Sequence, residues 1–211
     1  MVDGAMTDPP PIQASGAFSG DPASRKRLYF VAGANGSGKS TIARELLPAE
    51  GVSYVNPDDI ARELCPDAPG TARVAAGKEA LHRIRSFLDA GASFAVETTL
   101  SGVAHVRTLR RARELGDETT LIYIFVDSAE VCIARIAARV RSGGHSIPDA
   151  DVRRRYARSK RNFLGVYSPL ADQWTLFYNG DAQTHLVARK SADGSTAVFS
   201  EPLLALFKEA T

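Results

Sequence analysis

Leu28-Tyr29-Phe30-Val31, followed after Ala32 by Gly33-Ala34-Asn35-Gly36-Ser37-Gly38-Lys39-Ser40, is the stretch that decides how this chain is read. The first four residues are a short unbroken apolar run, the pattern of a strand buried on both faces. The next eight match G-x-x-x-x-G-K-[ST] at every fixed position, and a helical stretch from Ser40 to Leu47, stopped by Pro48, follows them. Strand, glycine-rich turn and helix in that order are the setting in which this motif is a phosphate-binding loop, or P-loop. Its glycines let the backbone curl so that successive N–H groups point inward at phosphate oxygens. The helix adds its positive N-terminal end. The reading predicts a nucleoside triphosphate held by Gly33, Ala34, Asn35, Gly36, Ser37, Gly38, Lys39, Ser40 and Thr41. Lys39 reaches the β- and γ-phosphates, and the Ser40 hydroxyl is placed for Mg²⁺, which prefers phosphate oxygens and keeps several waters.

Outward from this loop, apolar runs alternate with helical stretches. Val52–Val55, Phe94–Val96, Leu121–Val126, Trp174–Tyr178 and His185–Arg189 read as strands. Asp58–Leu64, Thr71–Ala90, His105–Leu115, Ala129–Val140, Asp151–Phe163 and Leu203–Lys208 read as helices. That alternation predicts an α/β fold of the P-loop NTPase or kinase type: three layers, a mainly parallel sheet, helices on both faces. Residues 1–24, rich in Pro, Gly, Ser and Ala without apolar periodicity, are expected to be a disordered tail. Residues 25–211 are expected to form one domain, with a basic helical lid at about 140–165.

Composition narrows the class without naming a chemistry. Of 211 residues, 44% are hydrophobic and 24% charged, values that exclude collagen-like, disulfide-stapled and wholly disordered chains. The formal net charge of +2 is too small to argue for nucleic acid. No apolar run reaches the roughly 18 residues a membrane span needs. Cys65 and Cys132 stand far apart and form no metal or redox motif, which predicts reduced thiols in a cytoplasmic protein without a membrane partner.

The P-loop alone does not say where the γ-phosphate goes. In open parallel sheets ligands bind at the carboxyl ends of strands, and three such ends carry acids: Asn56-Pro57-Asp58-Asp59, Glu97-Thr98-Thr99 and Asp127-Ser128. Phosphoryl transfer to a hydroxyl needs a carboxylate beside that hydroxyl. Asp58 is the candidate base, on the expectation that the second strand lies beside the first; capping the next helix is its alternative role. Glu97 either holds Mg²⁺ through water or grips the acceptor, with the hydroxyls of Thr98, Thr99 and Ser101 beside it. Asp127 either joins them or caps the helix from Ala129.

Nine Lys/Arg and two acids fall between Arg135 and Arg161. On the helix from Asp151, at about 100° per residue, Val152, Tyr156 and Phe163 share one face. Arg154, Arg155, Arg158 and Asn162 fall largely opposite. The spacing predicts a helix packed on one side and presenting guanidinium groups on the other, with Gly143-Gly144 as a hinge. Arginines closing over a triphosphate would neutralise the moving phosphoryl and exclude water. A solvated basic face and a nucleic-acid patch are the alternatives. His145 either contacts phosphate or makes only backbone hydrogen bonds.

The combination of Gly33–Thr41, Asn56-Pro57-Asp58, Glu97-Thr98-Thr99-Leu100-Ser101-Gly102, and Gly143-Gly144-His145 with Pro148 and the arginine helix resembles the zeta-toxin family of P-loop kinases, and most of all its short, chromosomally encoded branch. The resemblance runs from about Leu28 to Asn179. It implies an ATP- and Mg²⁺-dependent kinase. Its best-known members phosphorylate a hydroxyl of UDP-N-acetylglucosamine and are held inactive by an antitoxin protein. It implies Asp58 as catalytic aspartate, Lys39 as the P-loop lysine and Glu97 in acceptor binding. It also implies two basic lid residues around the transferred phosphate, for which His145, Arg154 and Arg158 are candidates. The leading reading is therefore transfer of the γ-phosphate of ATP to a hydroxyl of a small metabolite, a UDP-sugar being one candidate. A slowly hydrolysing nucleotide switch and a polynucleotide kinase are the rival readings. The chain has no guanine-reading N-K-x-D stretch, which favours adenine.

Overall fold

The structure is a computed structural model, and it describes residues 25–144, 146–180 and 182–209. The expected tail at 1–24 and His145 lie outside the described residues. The element order is β1 (Arg27–Ala32), α1 (Lys39–Leu46), β2 (Ser53–Val55), α2 (Pro57–Leu64), α3 (Arg73–Asp89), β3 (Phe94–Thr98), α4 (Val106–Glu114), β4 (Glu118–Phe125), α5 (Ala129–Arg141), α6 (Asp149–Asn162), β5 (Gln173–Tyr178), β6 (His185–Lys190), β7 (Thr196–Val198) and α7 (Glu201–Glu209). A π-type turn, Phe163–Tyr167, continues α6.

Seven strands form one sheet in the order β2-β3-β1-β4-β5-β6-β7. The first five run parallel; β6 and β7 are antiparallel additions at one edge. The side chains of β1 show why this sheet must lie between layers. Leu28, Phe30 and Ala32 join a core with residues of α2, α3, α4 and α7. Tyr29 and Val31, pointing the other way, join a second core with Ile42, Ala43 and Leu46 of α1. A third cluster of α5 and α6 residues packs on Ala34 and Val126 at the strands' carboxyl ends. This is the P-loop α/β fold that the alternation of apolar runs predicts.

Three local expectations are corrected. β2 does not pair with β1; β3 lies between them. β3 is buried along Phe94–Glu97 and needs a neighbour on each side, whereas the three-residue β2 is largely uncovered and suits the sheet's edge. Asp127 does not cap α5. Ser128 does, its side chain accepting from the Val131 N–H, while Asp127 accepts from the Tyr178 hydroxyl at 2.9 and 3.0 Å. On α6, Val152 and Tyr156 are buried as expected, but Arg155 and Asn162 turn inward. Both lie on the flank of the packed stripe, within about 80° of it at 100° per residue, rather than opposite it. Among the described residues no helix is long and apolar enough to cross a membrane.

Candidate functional site

A cavity of about 530 Å³ opens at the carboxyl end of the sheet, and two helix N-termini face it. The α1 terminus has Gly38 at its cap position, with φ 96°, no side-chain cap and no acid in its first turn. Its first N–H groups are therefore available to an anion from outside. The α2 terminus is built the other way. Asn56 caps it, accepting from the Asp58 N–H at 2.9 Å, Pro57 occupies the first turn, and Asp58 and Asp59 bring negative charge.

The loop feeding α1 is pinned by its surroundings. Gly36, with φ 84°, lies so close to α5 that a Cβ would stand 2.7 Å from the Cys132 carbonyl oxygen. Gly38 is pressed against the Asn179 carboxamide, which leaves no space for a side chain. Lys39 is buried, with 6% of its surface exposed, and its Nζ donates to the Ala34 carbonyl at 2.9 Å. Burial pushes its ammonium below the ordinary pKa, and the carboxylates of Glu97 and Asp58 oppose that shift. Cys132, under the loop, is fully buried and its thiol is raised to about 11, so it stays a thiol.

Glu97 is the hub between the two walls. Its Oε2 accepts from Ser40 Oγ at 2.8 Å, from Asn56 Nδ2 at 3.3 Å and from the Tyr54 hydroxyl; its Oε1 lies 4.0 Å from Lys39 Nζ. Burial and the Glu97 charge raise the Tyr54 pKa, which keeps that phenol a donor. Asn56 thus does two things at once: one side-chain atom fixes the start of α2, and the other holds Glu97. The Ser40 hydroxyl and Glu97 carboxylate form a hard-oxygen donor pair, which suits Mg²⁺ held by one or two protein oxygens and by phosphate. Among the described residues no group of three or more His, Cys, Asp or Glu could hold a metal without such a partner.

Of the residues singled out from sequence, Asn35, Gly36, Gly38, Lys39, Ser40, Thr41, Asp58 and Glu97 line this cavity together, whereas Gly33, Ala34 and Ser37 of the same loop do not. Thr98 and Thr99 do not. The Thr98 hydroxyl accepts from the Leu100 N–H at 3.1 Å, and the Thr99 hydroxyl pairs with Ser101 Oγ at 2.9 Å, so both are used to shape the turn after β3. Arg154 is exposed and paired with Asp151 at 2.7 Å; Arg158 is exposed as well, and neither lines the cavity. The cationic wall comes from other elements: Arg44 of α1, Arg62 of α2, Arg73 of α3, and Arg135 and Arg139 of α5. Among the α6 arginines, Arg155 reaches the loop, its Nη1 donating to Asn35 Oδ1 at 3.2 Å. Gly143 and Gly144 line the cavity as the end of α5, their N–H groups bonded to Val140 and Arg139 carbonyls. Sequence reasoning missed Tyr54, Arg135 and Arg139; the i, i+4 spacing of the two arginines on one helix was the signal available.

Comparison with known proteins agrees with this fold. A family model described as an AAA domain matches residues 28–161. An uncharacterized protein of Haemophilus influenzae is 35% identical over 132 residues, 63% of this chain and 94% of that protein. Among solved structures, the AvrRxo1-ORF1:AvrRxo1-ORF2 complex, determined with sulphate ions and also with ATP, superposes with a TM-score of 0.69 at 19% identity. The match covers 90% of this chain and 65% of that one, so this chain spans about two thirds of its length. The PezAT chromosomal toxin–antitoxin system of Streptococcus pneumoniae superposes with a TM-score of 0.62 at 13% identity, covering 89% of this chain and 85% of that one. At these identities the structural likenesses establish the fold, which is P-loop kinase-like.

Proposed function

The chain belongs to the AAA-domain family whose model its residues 28–161 match, and we propose that it is an ATP-dependent phosphotransferase acting on a hydroxyl of a small molecule. One observation carries this reading: Asp58 lines the same cavity as Lys39, Ser40 and Glu97. A carboxylate facing the phosphate wall is what transfer to an alcohol requires and what phosphate binding alone does not. The cavity volume of about 530 Å³ is that of a small-molecule site.

The roles follow from position. The P-loop amides and the α1 terminus hold the phosphates, and Lys39 neutralises charge on the transferring group. Mg²⁺, when bound through Ser40 and Glu97, would supply Lewis-acid polarisation of the phosphate oxygens. Asp58 takes the proton of the acceptor hydroxyl as that oxygen attacks the γ-phosphorus and the bond to the β-phosphate oxygen breaks. Arg135 and Arg139, on the cavity side of α5, take the charge-neutralising role that the sequence suggests for Arg154 and Arg158. The zeta-toxin branch, a UDP-sugar acceptor and an antitoxin partner are the finer form of this proposal. They are supported by the ordered motifs and by the fold shared with the PezAT system. The test is a metabolite screen with γ-labelled ATP and Mg²⁺. A labelled, phosphorylated small alcohol is the expected product. Release of free phosphate alone, with every metabolite pool, would reject phosphotransfer.

A further inference from the structure

We propose that Asn179, which stands behind the P-loop and outside the cavity wall, is a positioning residue that sets the direction of one phosphate-binding amide. The inference rests on the reading of Gly33–Ser40 as a phosphate cradle, and it adds a residue from the opposite end of the sequence, 142 positions after the peptide it controls.

Asn179 Nδ2 donates to the Ser37 carbonyl oxygen at 2.8 Å. Ser37 C=O and Gly38 N–H belong to one peptide unit, and in a planar trans peptide the two point in opposite directions. Holding the carbonyl toward Asn179 therefore turns the Gly38 N–H away from it, toward the side on which Gly38 lines the cavity. The hold matters because Gly38 has no Cβ and sits at φ 96°, where glycine tolerates either orientation of the preceding peptide. A flip would replace an inward donor by an inward carbonyl oxygen, which repels phosphate.

Asn179 is itself placed twice. Its backbone N–H donates to the Phe125 carbonyl at 2.8 Å, extending the β4–β5 ladder past the end of β5. Thr184 Oγ1 donates to Asn179 Oδ1 at 3.3 Å, which leaves the amide nitrogen as the end that faces Ser37. The contact is close enough that the Asn179 carboxamide fills the space a Gly38 side chain would need. Sheet end and phosphate loop are thus fitted to each other.

The test compares wild type with Asn179→Ala and Asn179→Asp. Asn179→Asp keeps the shape of the side chain but cannot donate from the position facing Ser37. The probes are Mg·ATP and inorganic tripolyphosphate, titrated by calorimetry, with the Gly38 amide followed in ¹⁵N-labelled protein. We expect affinity for both probes to fall about tenfold in Asn179→Ala and further in Asn179→Asp, where a negative charge is added. The thermal midpoint of ligand-free protein stays within about 2 °C of wild type, and the Gly38 resonance loses its response to tripolyphosphate. Wild-type affinity in both variants, or an unaltered Gly38 response, would overturn the inference. So would an affinity loss in both variants that is matched by lost stability of the ligand-free protein, which marks packing rather than peptide orientation. Failure of the cradle reading itself looks different: the wild-type chain would then bind neither ATP nor tripolyphosphate.

Discussion

The two helix N-termini that face the cavity are built for opposite tasks. α1 begins at a left-handed glycine, without a side-chain cap or an acid, so its first N–H groups are open to an anion. α2 begins with a capping asparagine and two aspartates, so its orphan N–H groups and its dipole are satisfied from within. A helix end that carries its own carboxylates repels a phosphate, and one that carries none leaves its N–H groups open to water or to an anion. Placed across one cavity, the pair would, on the proposed function, separate the holder of the phosphate from the group that prepares its acceptor. Glu97 ties the two together through Ser40 on one side and Asn56 on the other.

The sharpest way to break this comparison is to change one terminus and read both functions. Asp58→Asn keeps size and polarity at the α2 end but removes the base. Transfer to the acceptor should fall about 10²- to 10⁴-fold, with ATP affinity within about twofold of wild type in calorimetry; retained transfer would leave Asp58 only as a first-turn acid complementing the α2 dipole. Lys39→Ala attacks the other terminus. It removes the buried ammonium that lines the cavity, and ATP affinity should fall on the order of 10²-fold, as for loss of a charge-assisted contact to phosphate. If Lys39→Ala leaves ATP affinity intact, the α1 end is not the phosphate wall.

What the sequence alone makes legible follows the same division. The proposed phosphate wall is eight consecutive residues, so its chemistry is local in sequence, and Gly36, Gly38, Lys39 and Ser40 all line the one cavity. The facing wall is assembled by topology from α1, α2, α3 and α5, and no linear spacing encodes it. Asp58 lines the cavity from a strand end, as its sequence position predicts, although β2 does not adjoin β1. Asn56 spans the gap by reaching Glu97 at the end of β3. The arginines show the limit most clearly. Helical periodicity separates the buried face of α6 from the rest, but it cannot say whether a site lies beyond that helix or beside it. The cavity lies beside α5, so Arg135 and Arg139 line it and Arg154 does not. Asn179 was hidden for the same reason, since its partner lies 142 residues away.

The loop after β3, which supports the facing wall, also carries an acid-sensitive anchor. His105 packs edge-on against Phe30, with ring centroids 5.3 Å apart, its Nδ1 buried without a partner. Desolvation lowers its pKa to about 4 from an ordinary 6.5. A depressed folded-state pKa means that the neutral ring stabilises the fold fully above about pH 6.5, and that this stability drains as pH falls toward 4. At 1.36 kcal/mol per unit the drain is about 3 kcal/mol. Urea titrations between pH 7 and 4 should show it, and His105→Phe should flatten that portion of the profile. An equally steep profile in the variant would assign the acid sensitivity elsewhere.

The smallest expected effects decide which helix carries the cationic wall. Arg139→Ala removes a guanidinium from the cavity side of α5, so transfer should fall about 10-fold or more while the ligand-free fold is retained. Arg154→Ala removes one that is 54% exposed and paired within its own helix to Asp151, an arrangement worth only a few tenths of a kcal/mol. Its transfer rate should stay within about twofold of wild type. The two substitutions delete the same group 15 positions apart, so a general loss of positive charge would affect both alike. If Arg154→Ala is as damaging as Arg139→Ala, α6 must swing over the nucleotide during turnover. The Tyr156 hydroxyl bonds to the Val126 and Asp127 carbonyls, at 2.7 and 3.0 Å, would then have to break in every cycle. Their loss in Tyr156→Phe would in that case speed closure of the helix, whereas a fixed α6 predicts no gain.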